Sequence, residues 1–268
     1  MIGRSRAALL LLLGLAIGWQ APKAAEIPPV VTACVGAPEF PPFTYFQRVG
    51  GQASDQLVGY SIDTMREMLA LGGRTVRIDY LPWKRCLLNG TLGTVDLVVD
   101  GFKVESRDSD FIFPNHPLSL GTPAFVFGRA RESLEPGTPE RLLQARLCGL
   151  RGWNFSPFGL AEDAVPTRAP DADAAIQLVR AGRCDAFLYL REAVDGLPLI
   201  GGTDAGHDPS LGLAPVAGVP AIRTYLLIGR KLPYGAELKT LVDQAAESLD
   251  ASGERARIAS RYHVAYAE

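Results

Sequence analysis

The chain has 268 residues, enough for one large domain or two smaller ones, and 47% of them are apolar, which supports a substantial core. A formal net charge of -2 lacks the basic footprint of nucleic-acid binding, so no nucleic-acid partner is expected. His116, His207 and His263 are scattered and the four cysteines form no CxxC pair, so neither a metal nor a cofactor is expected.

Residues 1–25 read as a secretory leader, with Arg4 and Arg6 as its charged end, Ala7 to Gly18 as its apolar stretch and Ala24-Ala25 as a small-residue exit. The apolar stretch is shorter than the ~20 residues that span a bilayer, so cleavage and export to the periplasm are expected. Export permits disulfides, and Cys34, Cys86, Cys148 and Cys184 allow three pairings.

Val30 to Val35 reads as a first strand, running into the Pro-rich loop Ala37 to Tyr45. A polar, hairpin-like stretch over 49–57 precedes a helix with Ser61 as its cap, Ile62, Met65 and Leu69 at helical spacing, and Gly72-Gly73 as its stop. Val76 to Leu81 is a strand, and Pro82 opens a helix through Leu88. Val95 to Val99 then reads as a buried parallel strand closed by a turn at Asp100-Gly101. Ligands of open α/β sheets sit beyond the carboxyl ends of such strands, and Arg107 stands six residues past Gly101, a planar cation suited to a carboxylate. Gly101, lacking a Cβ, lets a ligand approach the backbone.

Thr122 to Gly128 is a strand, followed by a second α/β set: helix 140–145, strand 146–150, the turn Arg151 to Asn154, helix 172–181 and strand 184–190. A Gly- and Pro-rich stretch over 196–220 leads to the strand Ile222 to Ile228 and the helices Leu238 to Leu249 and Glu254 to Tyr262. The chain leaves the first set near residue 123 and returns near 222. The expected architecture is therefore two α/β lobes: 26–123 plus 222–268, discontinuous, and an inserted lobe over 124–221, with the two crossing strands as a hinge around one cleft. Disulfides within each lobe, Cys34–Cys86 and Cys148–Cys184, leave such a hinge free; buried free thiols are the alternative.

Four segments carry a family likeness: Pro41-Pro-Phe-Thr-Tyr45 with Gly59-Tyr-Ser-Ile-Asp63; Asp96-Leu-Val-Val-Asp-Gly101 with Arg107 and Phe113; Ala181-Gly-Arg-Cys-Asp-Ala186; and Ala251-Ser-Gly-Glu254 through Ile258 to Arg261-Tyr262. In order and spacing they resemble the type II periplasmic solute-binding proteins of polar amino-acid ABC importers, the bacterial extracellular solute-binding protein family 3. The resemblance implies a Venus flytrap that closes on a small polar solute and delivers it to the membrane permease of an ABC importer, without catalysis and as a monomer. It makes Phe43 or Tyr45 an aromatic platform, puts Asp100 and Gly101 where backbone contacts are offered, gives the carboxylate to Arg107, and makes Gly152 to Asn154 a turn whose N–H groups, at a helix start, meet the same anion. Trp83 and Arg85 are expected to face the cleft at the start of their helix, and Trp153 to cover the ligand from the second lobe, each against the alternative of core packing or solvation. The sequence departs from the family at Leu190, where an acid for the ligand's ammonium is expected. Either Asp100 supplies that acid from the other lobe or the solute is no α-amino acid. A sensory accessory protein and a dehydratase-type enzyme on the same scaffold are the alternatives.

Overall fold

The computed structural model describes residues 25–266, so the leader read over 1–25 lies, but for Ala25, outside the described residues. The chain begins with β1 (Val30–Ala37), where Val31, Ala33 and Val35 are buried on the strand's two-residue period. The Pro-rich loop then turns into a hairpin, β2 (Tyr45–Val49) and β3 (Gln52–Val58), followed by α1 (Tyr60–Leu71), β4 (Thr75–Pro82), α2 (Trp83–Leu92) and β5 (Leu97–Phe102). Two short strands, β6 (Phe111–Ile112) and β7 (Ser119–Gly121), end this block.

The second block holds β8 (Pro123–Gly128), α3 (Pro139–Leu142), β9 (Leu147–Leu150), β10 (Thr167–Ala169), α4 (Ala172–Arg180), β11 (Ala186–Leu190), α5 (Arg191–Gly196) and β12 (Leu211–Pro215). The chain then returns through β13 (Ile222–Gly229) to α6 (Gly235–Ser252) and α7 (Glu254–Tyr262). Among the described residues no helix is long and apolar enough to cross a membrane.

The strands form two open sheets. One has the order β4-β1-β5-β13-β6, with β7 also on β13; the other has the order β10-β9-β11-β8-β12. In each, parallel strands (β4, β1 and β5; β10, β9 and β11) meet one antiparallel strand that carries a crossing, β13 or β8. The fold is a two-lobed α/β Venus flytrap with a discontinuous first lobe. Thr122, between β7 and β8, is held by Glu192 at the start of α5, whose carboxylate accepts from its N–H at 2.8 Å and its hydroxyl at 2.7 Å.

Both expected disulfides are present: Cys34–Cys86 joins β1 to α2 and Cys148–Cys184 joins β9 to the residue pair preceding β11, with Cα separations of 5.4 and 5.9 Å. Each stays within the elements of one sheet.

Local readings shift in four places. Ser61 is not the cap of α1; Gly59 takes that position, and Ser61, fully buried, turns its hydroxyl to Asp100 at 2.7 Å. Asp100-Gly101 does not close a strand, because β13 pairs Tyr225 with Gly101 and Thr224 with Phe102 and so draws the segment on as β5. Asp100 keeps a trace of the expected turn in its positive φ of 61°. Finally, α5 and β10 were not expected.

Gly101 serves packing rather than ligand approach: it is not in the lining of the cavity between the lobes, and a Cβ there would lie 1.9 Å from Leu227 Cδ1. Since Leu227 is fully buried, Gly101→Ala is expected to lower stability by about 1–3 kcal/mol through overpacking, measured by urea unfolding. An unchanged midpoint would show that Leu227 can move aside.

Candidate functional site

The carboxyl ends of the parallel strands of both sheets converge on one cavity of about 70 Å³. The end of β1 supplies Gly36 and Ala37, β4 leads into Trp83, β5 supplies Val99, Asp100 and Phe102, β9 ends in Leu150 and the turn Arg151 to Asn154, and β11 supplies Tyr189. Pro38, Phe40, Thr44 and Arg107 complete the lining. This is the position at which open α/β sheets bind ligands, because the loops there differ freely while the strands hold them rigid.

Aromatic rings dominate the walls. Trp153, on the turn after β9, packs edge-on against Phe40 at 5.7 Å and Phe102 at 5.5 Å, both from the first lobe, and lies 4.7 Å from Tyr189 of its own lobe. It is thus a wedge between lobes, and the lobes stand closed on it. Gly152 brings the same turn against the first lobe: its φ is 81° and its Cβ position lies 3.4 Å from Trp83 Cδ1. Gly36 makes room for that indole, since a Cβ on it would meet Trp83 Cε3 at 2.7 Å. The Cys34–Cys86 bridge, three residues past Trp83, fixes the start of α2 onto β1.

Arg107 sits on a single 3₁₀ turn after β5, half-buried, with Nη1 donating to the carbonyl of Phe102 at 2.8 Å. Its guanidinium lies 5.6 Å from the centre of the Trp83 ring, a cation–π distance. Burial pulls its pKa below the ordinary arginine value, and among the described residues no carboxylate bonds to it. It nevertheless stays charged, as arginine does in proteins. Arg151, exposed at the rim, is a second cation in the lining.

Asp100 lines the cavity, but its carboxyl group is engaged within the first lobe. Oδ1 accepts from Ser61 Oγ at 2.7 Å and Thr224 Oγ1 at 2.9 Å, while Oδ2 is shielded from solvent and has no partner among the described residues. Burial raises its pKa to about 6, against the lowering effect of the hydroxyls of Ser61, Thr224 and Ser119. Tyr189 is likewise buried, which pushes its hydroxyl up, and that hydroxyl has no hydrogen-bond partner among the described residues.

The structure brings together Trp83, Asp100, Arg107, Trp153 and Asn154 of the residues expected from sequence. It does not bring Phe43, Tyr45, Arg85 or Gly101 to the cavity. Phe43 is fully buried behind Phe40, stacked on it at 4.8 Å, so Phe40 has the wall position. Tyr45 lies in the β2–β3 hairpin, where it pairs with Val58. Arg85 is exposed: two residues along a helix are about 200° apart, so it and Trp83 take opposite faces of α2. The turn after β9 leads into a three-residue 3₁₀ segment over Ser156–Phe158, not a helix start, and Asn154 Oδ1 accepts from the N–H and hydroxyl of Ser156. Leu190 is fully buried, filling the space over Gly121. Asp185 is structural, accepting from the N–H and guanidinium of Arg146.

Phe40, Phe102, Arg151 and Tyr189 were missed. The signal for three of them was their place at the carboxyl end of a strand: Phe102 and Tyr189 stand on β5 and β11, and Arg151 directly follows β9.

The family model for bacterial extracellular solute-binding proteins, family 3, matches residues 33–265. The chain belongs to that family. Searched against curated proteins, the sequence has no significant match. Solved structures share the fold at low identity. EhuB in complex with hydroxyectoine superposes with a TM-score of 0.71 at 18% identity, over 88% of this chain and 89% of that one. AbpA from Streptococcus pneumoniae, an amino acid ABC transporter substrate-binding protein bound to L-arginine, gives 0.69 at 18% over 87% and 94%. A histidine kinase sensor domain with similarity to periplasmic binding proteins gives 0.70 at 19% over 89% and 98%. As a family 3 member the chain is a solute-binding protein.

Proposed function

We propose that the protein captures a small carboxylate-bearing solute between its lobes in the periplasm and presents the closed form to the permease of an ABC importer. Arg107 carries this reading: a half-buried cation facing the inter-lobe cavity, with no acidic partner among the described residues, is left for an anion to satisfy. The solutes named with two neighbours, hydroxyectoine and L-arginine, both bear a carboxylate, in line with that assignment. The first lobe comprises residues 26–123 and 222–268 and the second residues 124–221, the protein acts as a monomer, and residues 1–25 direct export.

Binding alone is the mechanism. The solute meets Arg107 on one lobe and the turn of Trp153 on the other, and closure removes both from water, which strengthens the ion pair. Thermal unfolding against amino acids, other carboxylates and amines tests this. A carboxylate that binds only the folded form raises stability by about 2.7 kcal/mol at a hundredfold excess over its dissociation constant. Hits confined to compounds without an anionic group would overturn it.

The Trp153 wedge predicts how closure responds to mutation. Removing its contacts to Phe40 and Phe102 should weaken the closed form by about 1–3 kcal/mol, at 0.5–1.5 kcal/mol per aromatic pair. Small-angle scattering of Trp153→Ala is expected to show a larger radius of gyration than the wild type without ligand. An identical radius would rule out the wedge.

A further inference from the structure

We infer that the solute is an anion with a flat, uncharged body, a ring-bearing carboxylate without a free amino group. This deepens the proposed function and rests on it. The lining contains a single acid, Asp100, and its carboxyl group is held in the first lobe: Oδ1 accepts from Ser61 and Thr224, and Oδ2, without a partner among the described residues, is shielded from solvent. An ammonium drawn into the cavity would lose its hydration and find no solvent-exposed carboxylate oxygen in the lining to contact in return, which is costly. The lining holds two cations instead, Arg107 and Arg151. Aromatic walls attract cations as well as flat rings, so they alone do not decide the matter. Here, however, the Trp83 face already carries the guanidinium of Arg107 at 5.6 Å, and another positive group beside it would be repelled through a poorly screening environment. What remains for the body of the solute is the faces and edges of Phe40, Phe102, Trp153 and Tyr189, a surface that favours a ring and offers no counter-charge.

The three tryptophans of the chain are Trp19, Trp83 and Trp153. Protein beginning at Glu26 therefore has only the two that line the cavity, and their emission reports the site directly. The probes are matched pairs, 3-phenylpropanoate with L-phenylalanine and phenylacetate with 2-phenylglycine, together with phenethylamine and tetramethylammonium. The expected result is that each plain carboxylate binds at least roughly tenfold more tightly than its amino-acid partner, and that neither cation binds. Amino acids binding as tightly as their deaminated partners would overturn the inference while leaving the carboxylate reading intact. Binding of the cations, or of none of the carboxylates by folded protein into the millimolar range, would overturn the carboxylate reading and the inference together.

Discussion

Arg107→Ala is expected to weaken carboxylate binding by roughly a hundredfold to a thousandfold while the unliganded protein stays folded. Among the described residues the guanidinium makes one hydrogen bond, to the Phe102 carbonyl, and packs on Trp83; neither contact anchors a core element. Its loss should therefore cost the fold about 1 kcal/mol or less. For the solute the loss is larger. A charge-assisted, two-point contact in a closed cleft is worth about 3–4 kcal/mol once the cost of leaving a carboxylate unpaired is included. Arg107→Lys separates charge from geometry, because lysine keeps the charge but not the planar fork, and it should recover only part of the affinity. Titration calorimetry checks both variants. An Ala variant within threefold of the wild type would remove Arg107 from the site.

The succession of strands along the chain and the two-lobed fold were legible because β-branched runs mark buried parallel strands, and because the chain shows two such sets with one return; the order of the strands within each sheet was not. The place of Arg107 at the cavity was legible from its position past the carboxyl end of a strand, where open α/β sheets gather the loops that line their clefts. The errors have physical causes too. Asp-Gly is a strong turn signal, yet the return strand β13 pairs across Gly101 and carries β5 through it. That pairing partner lies 124 residues away, beyond the reach of any local pattern. The choice between Phe40 and Phe43 depends on how a loop with proline at positions 38, 41 and 42 is folded, and the alternation rules that sort strand residues do not apply there. Trp83 and Arg85 look adjacent in sequence, but helical geometry puts them on opposite sides. The short α5 lacks a capping residue at Leu190, so it carries no start signal, although its Glu192 holds the crossing at Thr122.

Asp100→Asn is expected to stabilise the protein at neutral pH and to leave it nearly unchanged in acid. The carboxyl pKa of Asp100 is raised by burial to about 6 in the folded protein, against an ordinary value of 3.8. A folded-state pKa above the unfolded one means that the native state holds the proton more tightly. Stability is then greatest below the unfolded value and falls as the pH rises from there through about 6. Above that range the charged, desolvated carboxylate costs about 3 kcal/mol, at about 1.4 kcal/mol per pKa unit. An amide of the same shape avoids this cost, and its Oδ1 can still accept from Ser61 and Thr224. Urea unfolding near pH 4 and near pH 8 measures the difference; an Asn variant less stable than the wild type at both would refute the argument. The same carboxyl group bears on binding. Because Asp100 and Arg107 line one cavity, ionising Asp100 places a negative charge near the expected anion. Carboxylate affinity of the wild type should therefore fall as the pH rises through about 6, and by linkage the bound solute should push the Asp100 pKa higher still. In Asp100→Asn that dependence should disappear. A destabilising acid at the end of a central strand would then have a function in the site, making capture tighter in acidic surroundings and release easier in neutral ones.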